Sequence, residues 1–317
     1  MSSHIRIPFL IDIHRVTSSR LIIQEVNNPD LDRDYIYRGP LINRLIVARM
    51  KAAMRVKELV LRGGAEMSLN TPRIKKMFAP PLRVSHRWFP SAESVSDLAR
   101  INEHAELEAR INKSDHIWDE DLIQTAAKFV RGEIKRPADE IMQELTGRLF
   151  VTSFVSSEKT VRAGKCINQA IRSFSPFNWI YWITTGALHK AHSQLSREMK
   201  GDLSGVHSIS IAVQNLTKSL EEMRSLYQAG HSTSSVEEIQ ARIMHAPDNV
   251  LRQSKTVSSS QLGPLKPGTL VVFSVHQAAK KNLDSHLSFL TVSPSKCPAH
   301  RAVPNLLNQI WMEAVNA

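Results

Sequence analysis

The chain has 317 residues, an apolar fraction of 42% and two cysteines, enough for one large core or two small ones. Two cysteines make no disulfide framework, so a reducing, cytoplasmic setting is expected. The formal charge of +11 favours acidic partners such as an anionic cofactor, an acidic redox protein or a carrier domain, whereas the low aromatic content and the absence of zinc-finger spacing disfavour nucleic acid.

The N-terminal "MSSHIRIPFLIDIHRVTSSR" is too charged, and its apolar run too short, for a secretory signal. No segment approaches the ~18 apolar residues of a membrane span. Residues 40–62 predict a helix stopped by Gly63-Gly64. Leu41, Leu45, Ala48, Ala52, Val56, Leu59 and Val60 form its apolar stripe, and Arg44, Arg49, Lys51, Arg55 and Lys57 a solvated basic face. Further helices are predicted over 90–112, 119–134, 138–154, 162–174 and 186–200. "FNWIYWITTGAL" (177–188) is the most apolar run and is expected in the core.

Residues 203–230 predict one long helix ending at Gly230, with Ile209, Val213, Leu216, Leu220 and Met223 on one side. Ser235 and Glu238 make a capping box for the next helix, closed by Pro247. The pattern then changes. Residues 251–275 carry turn residues around β-rich runs, and "GTLVVFSV" (268–275) is the best strand. Val303, Leu306, Leu307, Ile310 and Trp311 have the spacing of a packed last helix, which Pro304 is expected to kink or delay. The fold class is therefore mainly α (α+β), with a small β region near the C-terminus, in a single domain over 1–317.

Chemistry centres on "TVSPSKCPAHR" (291–301). A cysteine just ahead of a helix meets backbone N–H groups and the positive end of the dipole, which favour thiolate. Such a thiolate is a good ligand for haem iron; the alternative is a buried cysteine acting as a small hydrophobe. Cys166, in a helical segment, reads as inert. His189 and His192 are spaced i, i+3 but lack a further ligand, and read as a solvated pair. No phosphate-binding Gly-rich loop or nucleophile elbow is present.

Five blocks in order resemble the cytochrome P450 superfamily: "TPRIKKMFAPPLRVSHRWF" (71–89), "EIMQELTGRLFVTSF" (140–154), "MHAPDNVLR" (244–252), "LKPGTLVVFSVHQAAKKN" (265–282) and "SPSKCPAHR" (293–301). The resemblance covers 71–317, with 1–70 poorly matched, and implies a P450-like helical fold of reduced size. The chain departs from the family in its cysteine loop. Leu290, Thr291, Ser293, Ser295 and Ala299 stand where that loop carries Phe, glycines and a cation. The Glu-x-x-Arg pair would fall on Gln240 and Ile243; Glu238 and Arg242 instead lie i, i+4 as an ordinary exposed pair.

The resemblance implies haem b, with Cys297 as the iron ligand. Arg252, Arg73, Lys76 and His300 are implied as propionate contacts, with Lys75 and Arg301 as further candidates. "SGVHS" (204–208) is the best match to the family's distal helix motif. Gly205 would allow close approach to the haem, and His207 and Ser208 take the places of its acid and threonine, where a histidine can pass protons near neutral pH. The function so implied is a haem-thiolate oxidoreductase, of monooxygenase or peroxygenase type. It would act with dioxygen or peroxide on a mid-sized apolar small molecule in a biosynthetic tailoring step, served by an acidic redox partner or carrier domain. The alternative is a haem-free or non-oxidative relative acting as a binding scaffold, isomerase or dehydratase.

Overall fold

The computed structural model describes residues 2–32, 38–50, 105–111, 118–172, 175–231, 236–245, 248–282, 285–291 and 296–317. Helices dominate, with a small sheet. The chain divides into two compact units, each assembled from separate stretches. One comprises Met1–Lys51, Ser85–Asn112 and Met244–Ala302; the other comprises Ala52–Val84, Lys113–Ile243 and Val303–Ala317.

The first unit holds the sheet. Strands β1 (Ser2–Ile7) and β2 (Ile11–Val16) form an antiparallel hairpin. Strands β3 (Leu31–Asp32), β4 (Val250–Ser254) and β7 (Leu270–Phe273) complete it in the order β1-β2-β7-β4-β3. β2 and β7 run parallel, although some 250 residues of chain separate them. A second hairpin pairs β5 (Ser258–Ser260) with β6 (Gly263–Leu265). The C-terminal β region was legible, but the N-terminal hairpin was not. Its strands carry His, Arg and Asp among their isoleucines, and their pairing with β7 is non-local.

"KPGT" forms a turn in which the Thr269 N–H donates to the Lys266 carbonyl at 3.0 Å. Gly268 sits at φ +91°, the left-handed region such a turn requires. The core beneath the sheet gathers Val16, Ile22, Phe273, Val275, Leu287 and Leu290, all buried.

Residues 41–50 are helical, but the expected stripe is misplaced: Leu41 and Leu45 are 51% and 62% exposed, while Asn43 and Val47 are buried. Asn43 explains the rotation. Its side-chain amide donates to the carbonyls of Asp12 (2.7 Å) and Gly268 (2.9 Å), and its carbonyl accepts from the Asp12 N–H (3.1 Å). Satisfying three buried backbone groups outweighs covering two leucines. Arg49 is half-buried rather than fully solvated, and burial pushes its guanidinium down to about 10. Residues 51–62, Gly63-Gly64, and 90–104 and 112 of the next expected helix lie outside the described residues; 105–111 are helical.

The second unit is helical. Its first described helix, Glu120–Arg131, has all its end signals in place. The Asp119 carboxylate accepts the Leu122 N–H at 3.1 Å, acids fill the first turn, Lys128 and Arg131 the last, and Gly132 closes the end at φ +82°. Helices Ala138–Arg148, Glu158–Arg172 and Ala187–Glu198 follow, the first ending at Arg148 rather than at 154 and the other two within a few residues of expectation. The second begins earlier than its periodicity suggested, because Ser157 and Thr160 exchange side-chain-to-backbone bonds at its start.

The apolar run 177–188 is a correction. Helix Pro176–Thr185 buries Trp182 but leaves Phe177, Ile180 and Tyr181 79%, 56% and 57% exposed. The long helix expected over 203–230 is present, but not as uniform α-helix. Leu203–His207 passes into a π turn, Ser208–Ala212, before Val213–Gln228 continues. The last helix, Ala302–Val315, is neither kinked nor delayed. Pro304 lies in its first turn, where no backbone donor is needed.

Candidate functional site

The Cys297 loop is a tight turn held by its own backbone. The Cys297 N–H donates to the Phe289 carbonyl at 3.1 Å, and the His300 N–H returns to the Cys297 carbonyl at 3.1 Å. His300 Nδ1 also lies 3.1 Å from that carbonyl. The cysteine is exposed, yet desolvation is the leading influence on its thiol and pushes its pKa up. The two are compatible: exposure measures what can touch the residue, desolvation how much protein displaces water around it. The Ala299 N–H opposes the rise, while Glu108 adds to it. The expected thiolate stabilisation by the helix end is therefore corrected. Desolvation dominates at the sulfur, and the helix begins only at Ala302.

Glu108 is the residue sequence reasoning missed. It lies in the helical stretch 105–111, nearly 190 positions from the loop, and no local pattern links the two. Its Oε1 accepts from Lys296 Nζ at 2.9 Å and lies 3.8 Å from His300 Nε2. Burial, then Lys296, push the His300 imidazole below its ordinary value, against the opposing pull of the Cys297 carbonyl and Glu108. His300 thus serves the loop and Glu108 in this structure.

The sign of the Glu108 effect makes a test. A carboxylate beside a thiol disfavours thiolate, and its removal leaves the Lys296 cation to favour it. Glu108→Gln is expected to lower the Cys297 thiol pKa, so alkylation by iodoacetamide reaches half its maximal rate at a lower pH than in wild type. An unchanged or raised midpoint would contradict the assignment.

The other implied site residues are distributed as follows. Arg252 is buried on β4, opposite Val271, with Nη1 donating to the Leu251 carbonyl at 2.9 Å. Arg301 is exposed. Arg73, Lys75 and Lys76 lie outside the described residues. Cys297, His300 and Arg252 belong to the first unit; Gly205, His207 and Ser208 belong to the second.

Gly205 packs closely within the helical unit. A Cβ there would stand 2.8 Å from Met199 Sδ and 3.1 Å from Phe150 Cβ. Its missing side chain lets the helix pack on those two residues. His207 ends the α-helical turn and Ser208 opens the π turn, both half-buried. π turns recur at functional sites, and sequence periodicity gives no sign of one.

The weaker candidates separate cleanly. Glu238 and Arg242 pair at 2.6 Å with both side chains exposed, as expected. Burial raises the Cys166 thiol, consistent with an inert cysteine. His192 is buried rather than solvated, and among the described residues it joins no metal-ligating cluster with His189.

No family model matches the chain, and no curated protein matches it. Solved structures do resemble it. The CYP175A1 structure from Thermus thermophilus is 13% identical, with a TM-score of 0.48 over 98% of this chain and 83% of that one. The hybrid P450 OxyBtei(BC/FGvan) is 14% identical, with a TM-score of 0.47 over 99% and 85%. A thermophilic cytochrome P450 from Sulfolobus tokodaii is 12% identical, with a TM-score of 0.46 over 98% and 88%. The chain is thus similar, along nearly its whole length, to these cytochrome P450 structures; with these three TM-scores under 0.5, the chemistry must rest on the chain's own residues.

Proposed function

We propose that the protein is a haem-thiolate oxidoreductase of reduced size, with Cys297 as the iron ligand and a mid-sized apolar molecule as substrate. The observation that carries this reading is the Cys297 turn: an exposed cysteine fixed by the Cys297 N–H on the Phe289 carbonyl and the His300 N–H on the Cys297 carbonyl. An exposed, backbone-held cysteine fits a coordinated thiolate, since metal binding removes the thiol proton that the surroundings otherwise retain. Arg252 and His300 in the described residues, with Arg73 and Lys76, are the basic side chains assigned to the haem propionates. When bound, haem supplies one-electron and oxygen or peroxide chemistry.

The chain's own residues hold, orient and move protons. The Ala299 N–H tempers the electron-rich sulfur. The His207 imidazole is the group that passes a proton, and the Ser208 hydroxyl orients water or substrate beside it. An acidic redox partner or carrier domain fits the net positive charge. Growth with a haem precursor is expected to yield purified protein with a visible haem band; protein that stays colourless contradicts the reading. His207→Ala and Ser208→Ala are expected to lower turnover by about tenfold or more while leaving haem content unchanged. Unaltered turnover in both would remove the distal assignment.

One observation favours a second reading. Glu108 near the Cys297 thiol raises the thiol's pKa, which suits an unligated cysteine in a haem-free binding scaffold, or an isomerase or dehydratase. A colourless but folded protein that binds apolar small molecules is the outcome this reading expects.

A further inference from the structure

The N-terminal hairpin reverses the usual alternation of a half-buried strand. On β2, Asp12 and His14 share the buried face with Val16, while Ile11 and Ile13 are only partly covered. Burying an acid and an imidazole where isoleucines were available one position away costs free energy unless those groups are used. The register places His4 of β1 directly across from His14, so the three side chains share one face. His4 Nε2 lies 2.7 Å from Asp12 Oδ1, and the His4 and His14 rings stack with centroids 3.6 Å apart. One ligand atom from each of the three lies within 4.8 Å of the others.

The acid at the centre is held from behind. Thr269 Oγ1, from the "KPGT" turn, donates to Asp12 Oδ2 at 3.0 Å and leaves Oδ1 turned toward the histidines. Asn43 fixes the Asp12 backbone on both its N–H and its carbonyl. Thr269 and Asn43 are 2% and 0% exposed. A buried hydroxyl that orients a ligating carboxylate is what metal sites use to fix their ligands. His4 is part-exposed, which gives an ion a way in from solvent.

We propose that His4, Asp12 and His14 bind one divalent first-row transition ion, of which zinc is the test case. Two imidazoles and one carboxylate are borderline ligands suited to zinc, copper, nickel or iron(II) and poorly suited to calcium or magnesium. Tetrahedral zinc sets ligand atoms about 3.4 Å apart, so binding opens the direct His4–Asp12 contact and draws the remaining ligand atoms inward. Three protein ligands leave a position for water or a small anion. The ion clips the edge strand β1, otherwise paired only with β2 in this sheet, to the strand beside it. This inference is independent of the haem reading.

The test is calorimetric titration of zinc chloride into the full-length chain, alongside His4→Ala, His14→Ala, Thr269→Val and Cys297→Ala variants whose folding is verified by circular dichroism. Wild type and Cys297→Ala are expected to bind one equivalent, with a Kd on the order of 1 μM. His4→Ala and His14→Ala are expected to bind at least tenfold more weakly, and Thr269→Val about tenfold more weakly, as loss of an orienting partner does. Zinc is also expected to slow amide exchange across Ser2–Ile7 in wild type. His4 lies on an exposed strand, so its variant decides the matter if His14→Ala fails to fold. Failure of wild type to bind, affinity unchanged in folded His4→Ala, or binding lost only in Cys297→Ala would each overturn the proposal.

Discussion

Gln143→Leu is expected to destabilise the helical unit by about 3 kcal/mol. Gln143 is 2% exposed, and every polar atom of its amide is engaged. Nε2 donates to the carbonyls of Thr160 (3.1 Å) and Ile209 (3.0 Å). Oε1 accepts from Ser156 Oγ (2.8 Å) and Thr160 Oγ1 (2.7 Å). One side chain thereby ties helix Ala138–Arg148 to the start of helix Glu158–Arg172 and to the π turn Ser208–Ala212. Leucine fills similar space but leaves buried donors and acceptors without their partner, and that loss exceeds the worth of any single bond.

The close approach of these elements depends on Gly164, where a Cβ would lie 2.8 Å from the Ile209 carbonyl and 3.2 Å from Gln143 Nε2. Ser156→Ala, which removes one of the four bonds, is expected to cost only about 1 kcal/mol. Denaturant midpoints of the two variants give the comparison. A Gln143→Leu protein no less stable than Ser156→Ala would show that the network does not hold the π turn in place.

Gln143 also marks where the sequence stopped being legible. Helices such as Glu120–Arg131 could be read because acid, base and glycine at the ends of an apolar period are local signals. The last helix was equally clear from Val303, Leu306, Leu307, Ile310 and Trp311, of which Leu306, Leu307 and Ile310 are 0% exposed. The long helix was found, but its π turn was not, and the Gln143 amide that meets the Ile209 carbonyl there lies some 65 positions upstream. Leu41 and Leu45 misled for a related reason: the pattern counted apolar residues, whereas the fold needed the Asn43 amide against the sheet.

The same limit applied to the candidate site. Cys297 was visible as a cysteine between turn residues, and His300 as its neighbour. The N–H that reaches the sulfur and the carboxylate that opposes its ionisation were not, since the first depends on the turn geometry of 297–300 and the second on Glu108 arriving from a distant stretch. Gly205 was read from its place in "SGVHS"; that Met199 and Phe150 close on it was not legible, because both contacts depend on packing. In the N-terminal hairpin, Asp12 and His14 alternate with isoleucines. Which set is buried depends on β7, whose place beside β2 no local pattern announces.

The larger effect belongs to Cys297. If its sulfur is the iron ligand, Cys297→Ala removes the one thiolate the chain can offer from that loop, and the consequence is qualitative rather than graded. Cys166, in the second unit and raised in pKa by burial, cannot replace it, so Cys166→Ala is expected to leave the haem unaltered. The decisive measurement is the absorption spectrum of the haem-supplemented protein, reduced and exposed to carbon monoxide, in wild type, Cys166→Ala and Cys297→Ala. The account predicts the red-shifted Soret band of thiolate-ligated haem in the first two and its loss in the third. A wild-type protein without haem, or a thiolate-type band that survives in Cys297→Ala, would contradict it.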